Sequence, residues 1–390
     1  MRRTIIAAAL AGLLPCVANA QESIKIGFIS TFSGPQGVLG QELLDGFKLG
    51  LRHVGGKLGG RTVELIQGDD QAKPDVGRQV ADMMTERNRV HIITGINFSN
   101  VLLAVAKPSL DAGAFVISVN AGPSQYAGAQ CHPNYFAATF QNDTMTGPMG
   151  IYLNKQGAQN IYAMAANYPA GKDMVAGFKR EFKGTLSGEV YTTFGQLDYA
   201  AEITELRSKN PGGVFFFYPG GMGINFIKQF AQAGLKDKIP MYVGGGVVDQ
   251  TILPALGDAA IGLRAVALWS EFLDNPASKK FSADFEAEYR RIPSPYAAGA
   301  YDTVLMLDAA LKTIGGKIED KKAFRQALEN VKFDSVRGYF RFNTNHYPIQ
   351  NFYLTEIMKD AKGRVVAGLR ETIVREYADP YVSQCKMPAE

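Results

Sequence analysis

Apolar residues along this chain follow two periods in turn. Residues 23–29 alternate apolar and polar, and 41–54 then carries Leu44, Phe47 and Leu51 at helical spacing. The same exchange repeats: strands are predicted over 62–66, 90–94 and 115–118, and helices over 74–86 and 99–112. Pro74 suits a first helical turn and Ser99 is placed to cap its helix. The rhythm restarts after residue 142, with helices over 142–152, 170–182, 200–209 and 224–233 and strands over 161–165, 189–193, 214–217 and 241–243. Short apolar strands alternating with helices predict parallel sheets with helices on both faces.

Beyond Trp269 the pattern changes. Helices are predicted over 278–289, 296–314 and 321–328, and strands over 339–342, 352–358 and 365–374. Asp360-Ala361-Lys362-Gly363 forms the turn between the last two. No low-complexity linker separates the two α/β units. They are therefore expected to be two doubly wound lobes joined by a multi-strand hinge near 140–143, 269–273 and 342–347, a construction that lets the lobes close on a ligand. The expected division is 21–141 with 272–345 for one lobe and 142–271 with 346–390 for the other.

The N-terminus adds the compartment. Arg2 and Arg3 precede an apolar run over 5–17 and the small-residue pattern Ala18-Asn19-Ala20, which reads as a secretory signal peptide over 1–20. Pro15 directly before Cys16 argues against lipidation there. The protein is thus expected in the periplasm. Two cysteines remain after cleavage, Cys131 and Cys385. An oxidising compartment favours a disulfide between them, the alternative being two free thiols.

Charge narrows the partners. The 390 residues carry 41 basic and 37 acidic groups and a formal net charge of +4, two units of which belong to Arg2 and Arg3. No basic run stands out, so nucleic acid is not an expected partner. The histidines His53, His91, His132 and His346 lack metal-ligand spacing, and no phosphate loop or nucleophile elbow is present, so no cofactor and no enzymatic activity are expected. The run Gly220-Gly221-Met222-Gly223 before a helix has the wrong spacing for a nucleotide fingerprint. Asp69-Asp70 is expected to be a strand-end turn.

In open α/β sheets ligands lie beyond the carboxyl ends of strands. Here those ends are 31–39, 96–100, 120–123, 167–168, 218–223 and 244–249, all rich in Gly, Ser, Asn and aromatic residues. Ser99, where a strand end turns into a helix, offers a hydroxyl and free backbone N–H groups to an anion. Phe98, Leu39 and Tyr218 are candidate apolar walls.

The chain resembles the periplasmic leucine/isoleucine/valine-binding family of ABC-transporter solute-binding proteins, with the type I periplasmic-binding fold. The resemblance rests on Ile26-Gly27-Phe28 with Phe32-Ser33-Gly34-Pro35, Gly46, and Gly59-Gly60-Arg61 leading into Val63-Glu64-Leu65. It continues through Asp69-Asp70, Gly95 with Ser99, Ile117-Ser118, Tyr296 and Ala300-Tyr301-Asp302. It implies a protein that binds a small carboxylate in its cleft and delivers it to a membrane permease; the expected state is a monomer. It places the carboxylate on Ser99 and on the backbone of Asn120, Ala121 and Gly122. Gly122 stands where the family usually has a hydroxyl residue, so Asn97, Asn100 or Asn120 is expected to supply the missing donor.

Tyr168 matches an aromatic that closes over the ligand. The second-lobe acid that pairs with an amino acid's ammonium is replaced, most closely by Gly245, and a second tyrosine by glycine at Tyr218-Pro219-Gly220-Gly221. An unpaired buried ammonium costs several kcal/mol. The resemblance is therefore to the branch that binds aromatic acids of the benzoate, hydroxybenzoate or hydroxycinnamate type. Asp249, four residues past Gly245, is the residue that would restore an amino-acid ligand. A ligand-sensing module is the alternative from another class.

Overall fold

The structure is a computed structural model that describes residues 22–387. The signal-peptide reading and Cys16 lie outside the described residues. The first half of the chain folds as β1 (Ile24–Ser30), α1 (Gly37–His53), β2 (Lys57–Leu58), β3 (Arg61–Asp69), α2 (Pro74–Glu86), β4 (Ile92–Thr94), α3 (Ser99–Asp111), β5 (Phe115–Ser118), α4 (Ser124–Ala127) and β6 (Tyr135–Ala137). These strands make one sheet in the order β2-β3-β1-β4-β5-β6, parallel except for the β2–β3 pair.

A 3-10 turn at Asn142–Met145 leads into α5 (Gly147–Lys155), β7 (Ile161–Asn167), α6 (Pro169–Glu181), β8 (Leu186–Thr193), α7 (Ala200–Lys209), β9 (Gly213–Phe217), α8 (Gly221–Gln232), β10 (Met241–Val243), α9 (Leu253–Leu256) and β11 (Arg264–Ala267). The chain ends with α10 (Pro276–Tyr289), α11 (Pro295–Thr313), α12 (Lys321–Glu329), β12 (Phe340–Phe342), β13 (Pro348–Lys359) and β14 (Val365–Tyr377). The second sheet runs β12-β13-β11-β10-β9-β7-β8, with β14 on β13. Its β8-β7-β9-β10-β11 part is parallel and its β11-β13-β14 part antiparallel. The expected two-lobed α/β fold is met.

Helices α10 and α11 return to the first lobe. Gly46 lets α1 lie flat on α11, since a Cβ there would sit 2.1 Å from the Ala297 carbonyl oxygen. The third connection between lobes runs through 330–339, ahead of the expected 342–347. The reason is pairing: β12 is hydrogen-bonded to β13 and so already belongs to the second sheet. The tip between β12 and β13 still reaches back, with the Ala137 amide donating to the His346 carbonyl at 3.0 Å.

Arg337 pins this hinge. It is 2% exposed. Its guanidinium donates to Asp302 of α11 at 2.8 Å, to the Ala138 and Thr139 carbonyls at 2.8 and 3.1 Å, and to Gln350 of β13 at 2.8 Å. The Asn275 amide donates to the Val336 carbonyl at 3.0 Å, so all three crossings meet at one buried polar post. A disulfide joins Cys131 to Cys385, with their Cα atoms 5.5 Å apart, and fastens the tail to the first lobe.

Candidate ligand-binding site

Between the lobes lies a narrow chamber lined from both sides. The first lobe and the hinge supply Asn97, Ser99, Asn120, Ala121, Phe140, Asn142 and Tyr296. The second lobe supplies Tyr168, Ala170, Met174, Phe217, Gly245 and Gly246. Strand geometry explains most of these. Asn97 and Ser99 follow β4, Asn120 and Ala121 follow β5, Tyr168 follows β7, Phe217 ends β9, and Gly245 follows β10.

The polar end is built around α3. Phe98, not Ser99, is the cap residue of this helix; Ser99 is its first helical residue. The chain enters the helix one residue early, and this leaves the Ser99 hydroxyl on the chamber wall. Ser99 Oγ accepts from the Asn142 amide at 3.2 Å, which leaves its own hydrogen free to donate. Asn97 accepts the Asn120 amide at both its carbonyl (2.7 Å) and its side-chain oxygen (3.0 Å). Its own Nδ2 is buried with no hydrogen-bond partner among the described residues. A hydroxyl, an unused amide donor and a helix N-terminus thus face one spot, a set of donors that suits a carboxylate.

The rest of the chamber is apolar. Tyr168 packs tilted against Phe194 (4.6 Å between centroids) and lies nearly parallel to Phe217 at 6.3 Å. Burial pushes the hydroxyls of Tyr168 and Tyr296 above the usual tyrosine range, so both stay neutral. Tyr296 donates to the Gly246 carbonyl and thereby ties the first lobe to the second across the chamber. Among the described residues, none of those lining it is Lys, Arg, His, Asp or Glu.

Ala121 lines the chamber, but other sequence-predicted site groups are engaged or placed elsewhere. The amides of Ala121 and Gly122 are already used, the first by the Ile96 carbonyl at 3.3 Å and the second by Asn142 Oδ1 at 3.2 Å. Gly122 itself is pressed against the crossing chain, where a Cβ would lie 2.3 Å from the Phe140 carbonyl oxygen. Phe98 packs behind Tyr168 and against Phe194. Asn100 lies within α3 and does not line the chamber; its Oδ1 is buried. Tyr218 is buried in a cluster with Tyr199, Phe216 and Phe226. Leu39 and Gly221 face each other's lobes at the rim: a Cβ on Gly220 would lie 3.5 Å from Leu39, and one on Gly221 would lie 2.9 Å from Pro35.

Gly245 is on the wall; an added Cβ would meet the movable Met145 methyl at 2.1 Å and the Val266 carbonyl oxygen at 3.0 Å. Asp249 lines a neighbouring cavity that shares only Gly246 with the chamber. Its Oδ1 accepts from the Thr251 amide and hydroxyl, and burial raises its carboxyl to about 6.

Sequence reasoning did not name Phe140, Asn142, Ala170, Met174, Phe217, Gly246 or Tyr296 as ligand contacts. Phe217 was findable, because it is the last residue of a predicted strand. Asn142 and Tyr296 come from a crossing and from a returning helix, and only the approach of the lobes puts them here.

A two-lobed α/β protein with an enclosed chamber at its strand ends is a binding protein of the type I periplasmic class. Residues 23–363 match the family model described as "Periplasmic binding protein", and the chain belongs to that family. Family membership implies a location outside the cytoplasm. Among curated relatives, the chain is 24% identical over 375 residues to Leu/Ile/Val-binding protein homolog 6 of Brucella melitensis, covering 93% of this chain and 95% of the relative. Among solved structures it is similar to an ABC-transporter solute-binding protein of R. palustris in complex with benzoate. The identity there is 30% and the TM-score 0.88, covering 94% of this chain and 100% of that one. A second, from Rhodopseudomonas palustris BisB5 in complex with 3,4-dihydroxybenzoic acid, is 27% identical with a TM-score of 0.86, covering 92% and 99%.

Proposed function

We propose that this protein is the solute-binding component of an ABC importer and captures a small aromatic carboxylate by closing its two lobes. It acts in the periplasm after loss of the signal peptide, as a monomer that presents its ligand to a membrane permease. The lobes are those expected from the sequence, except that β12 goes with the second. The observation that carries the reading is the chamber wall. Hydroxyl and amide donors gather at one end, aromatic rings and Met174 line the other, and among the described residues no lining carboxylate meets an ammonium. The neighbours that bind benzoate and 3,4-dihydroxybenzoic acid support the same class.

Branched-chain amino acids are the second reading, favoured by the names of the sequence relatives and by Asp249 lying one residue-wall away. A thermal-shift panel on refolded protein separates the two. A ligand at about 100 times its Kd adds ~2.7 kcal/mol of stability. Benzoate and 4-hydroxybenzoate are expected to raise the Tm while leucine, isoleucine and valine do not. A shift with the amino acids alone would overturn the aromatic-acid reading.

A further inference from the structure

An aromatic acid brings a full negative charge into the chamber, and no lining side chain carries a positive one. One side chain beyond the wall lies an acid. Asp173, on α6, is 9% exposed. Its Oδ2 accepts from the Asn142 amide at 3.0 Å, and the same amide nitrogen donates to Ser99 Oγ at 3.2 Å. A ligand carboxylate on Ser99 is therefore one neutral side chain away from a second carboxylate. Asn142 cannot turn to relieve this, because its Oδ1 holds the Gly122 amide.

Among the described residues, no Lys or Arg pairs with Asp173. Asp143, on the turn beside it, adds repulsion. Arg180 is committed to Asp143 at 2.6 Å, and the Tyr381 hydroxyl donates to the same acid at 3.0 Å. The other titratable groups near Asp173 are the hydroxyls of Tyr168, Tyr347 and Tyr381, which burial keeps neutral; Tyr381 is pushed up to about 12. Burial first, and Asp143 second, already lift the Asp173 carboxyl to about 6. An arriving anion can only lift it further.

We propose that a carboxylate ligand enters this chamber together with one proton, and that Asp173 takes the proton up. The inference rests on the aromatic-acid reading above. The proton comes from solvent, and the chamber's net charge is then unchanged by binding. It also has a place to go. Asp173 Oδ1 now accepts from the Ser124 hydroxyl at 2.8 Å. That hydroxyl can reverse, so that protonated Oδ1 donates to Ser124 Oγ. Oδ2 meanwhile keeps its bonds from the Ser124 amide at 2.9 Å and from Asn142. No hydrogen bond is lost, and Asp173 continues to join α6 of the second lobe to α4 of the first.

Calorimetric titration of benzoate at pH 7.5, in buffers of different ionisation enthalpy, reads the protons taken up per ligand bound. The expected result is an uptake approaching one, with affinity rising up to about tenfold for each unit of pH lowered between 8 and 6.5. Asp173→Asn keeps an acceptor for Asn142 and the Ser124 amide, and its own amide can donate to Ser124 Oγ. In this variant the uptake should vanish, and benzoate should bind about tenfold tighter than to the wild type at pH 8. A purely structural role would weaken binding instead. Tight benzoate binding without proton uptake, uptake that persists in Asp173→Asn, or weaker binding by that variant at pH 8 would each overturn the proposal while leaving the aromatic-acid reading intact. Failure of every aromatic acid to bind would overturn both.

Discussion

The hinge and the chamber are both buried and both polar, yet they treat their polar groups in opposite ways. At the hinge Arg337 spends its guanidinium on four partners, and Asp302 also accepts from the Ser335 hydroxyl at 2.5 Å and the Val336 amide at 2.8 Å. In the chamber Asn97 Nδ2 has no partner, and the Ser99 hydrogen is held free by the amide that donates to its oxygen. A buried group left unsatisfied costs roughly 1–3 kcal/mol. In the chamber such groups sit where a ligand can satisfy them, whereas those of the Arg337 post are paired.

The comparison is broken most severely at the post. Arg337→Met should destabilise the protein by about 3–5 kcal/mol in denaturant titration, because Asp302 is left as an uncompensated buried charge. A loss below about 1 kcal/mol would mean that the post is not what joins the crossings. Asp249→Asn probes a buried acid near the chamber, and its sign is opposite. The Asp249 carboxyl is raised in the folded state to about 6, so ionising it opposes folding. That cost is absent near pH 4, grows as pH rises toward 6 and is complete above it. The variant should therefore be more stable than the wild type by about 1–3 kcal/mol at pH 8, with the gain vanishing near pH 4.

Ser99→Ala should leave stability nearly unchanged and weaken aromatic acids by about 1–3 kcal/mol in calorimetry. Equal weakening of the acid and its carboxamide would count against a carboxylate at this position. Asn97→Ala is expected to have the smallest effect, about 0.5–1.5 kcal/mol on binding. Unliganded stability should hold or rise slightly, since an unsatisfied donor is removed.

Much of the fold could be read from local pattern. Pro74 at the head of an amphipathic run marked α2, and the short apolar strands β5 and β9 stood out between polar turns. The short strands β6 and β11 were not seen. Tyr135–Ala137 is only three residues long and follows a run of Gly, Gln, Cys and His, and Arg264–Ala267 begins on a charged residue. The chamber was legible to the extent that it follows strand ends, which covers Ser99, Asn120, Tyr168 and Gly245. Tyr218 and Leu39 also lie at such ends, but one turns into an aromatic cluster and the other meets the opposing lobe at the rim. Periodicity reports which residues are buried. It does not report which of two burial sites they enter, nor which crossing residue a second lobe will press against Ser99.

The disulfide fastens one lobe to the end of the strand pair that belongs to the other. Three backbone crossings already run through the hinge; Cys131–Cys385 adds a fourth covalent strut on its side, beside Asn345, whose amide donates to the Ala127 carbonyl at 2.9 Å and to Asp379. A joint held at four points resists torsion and sliding more than it resists bending. Such a joint is expected to favour one bending motion of the lobes over all others.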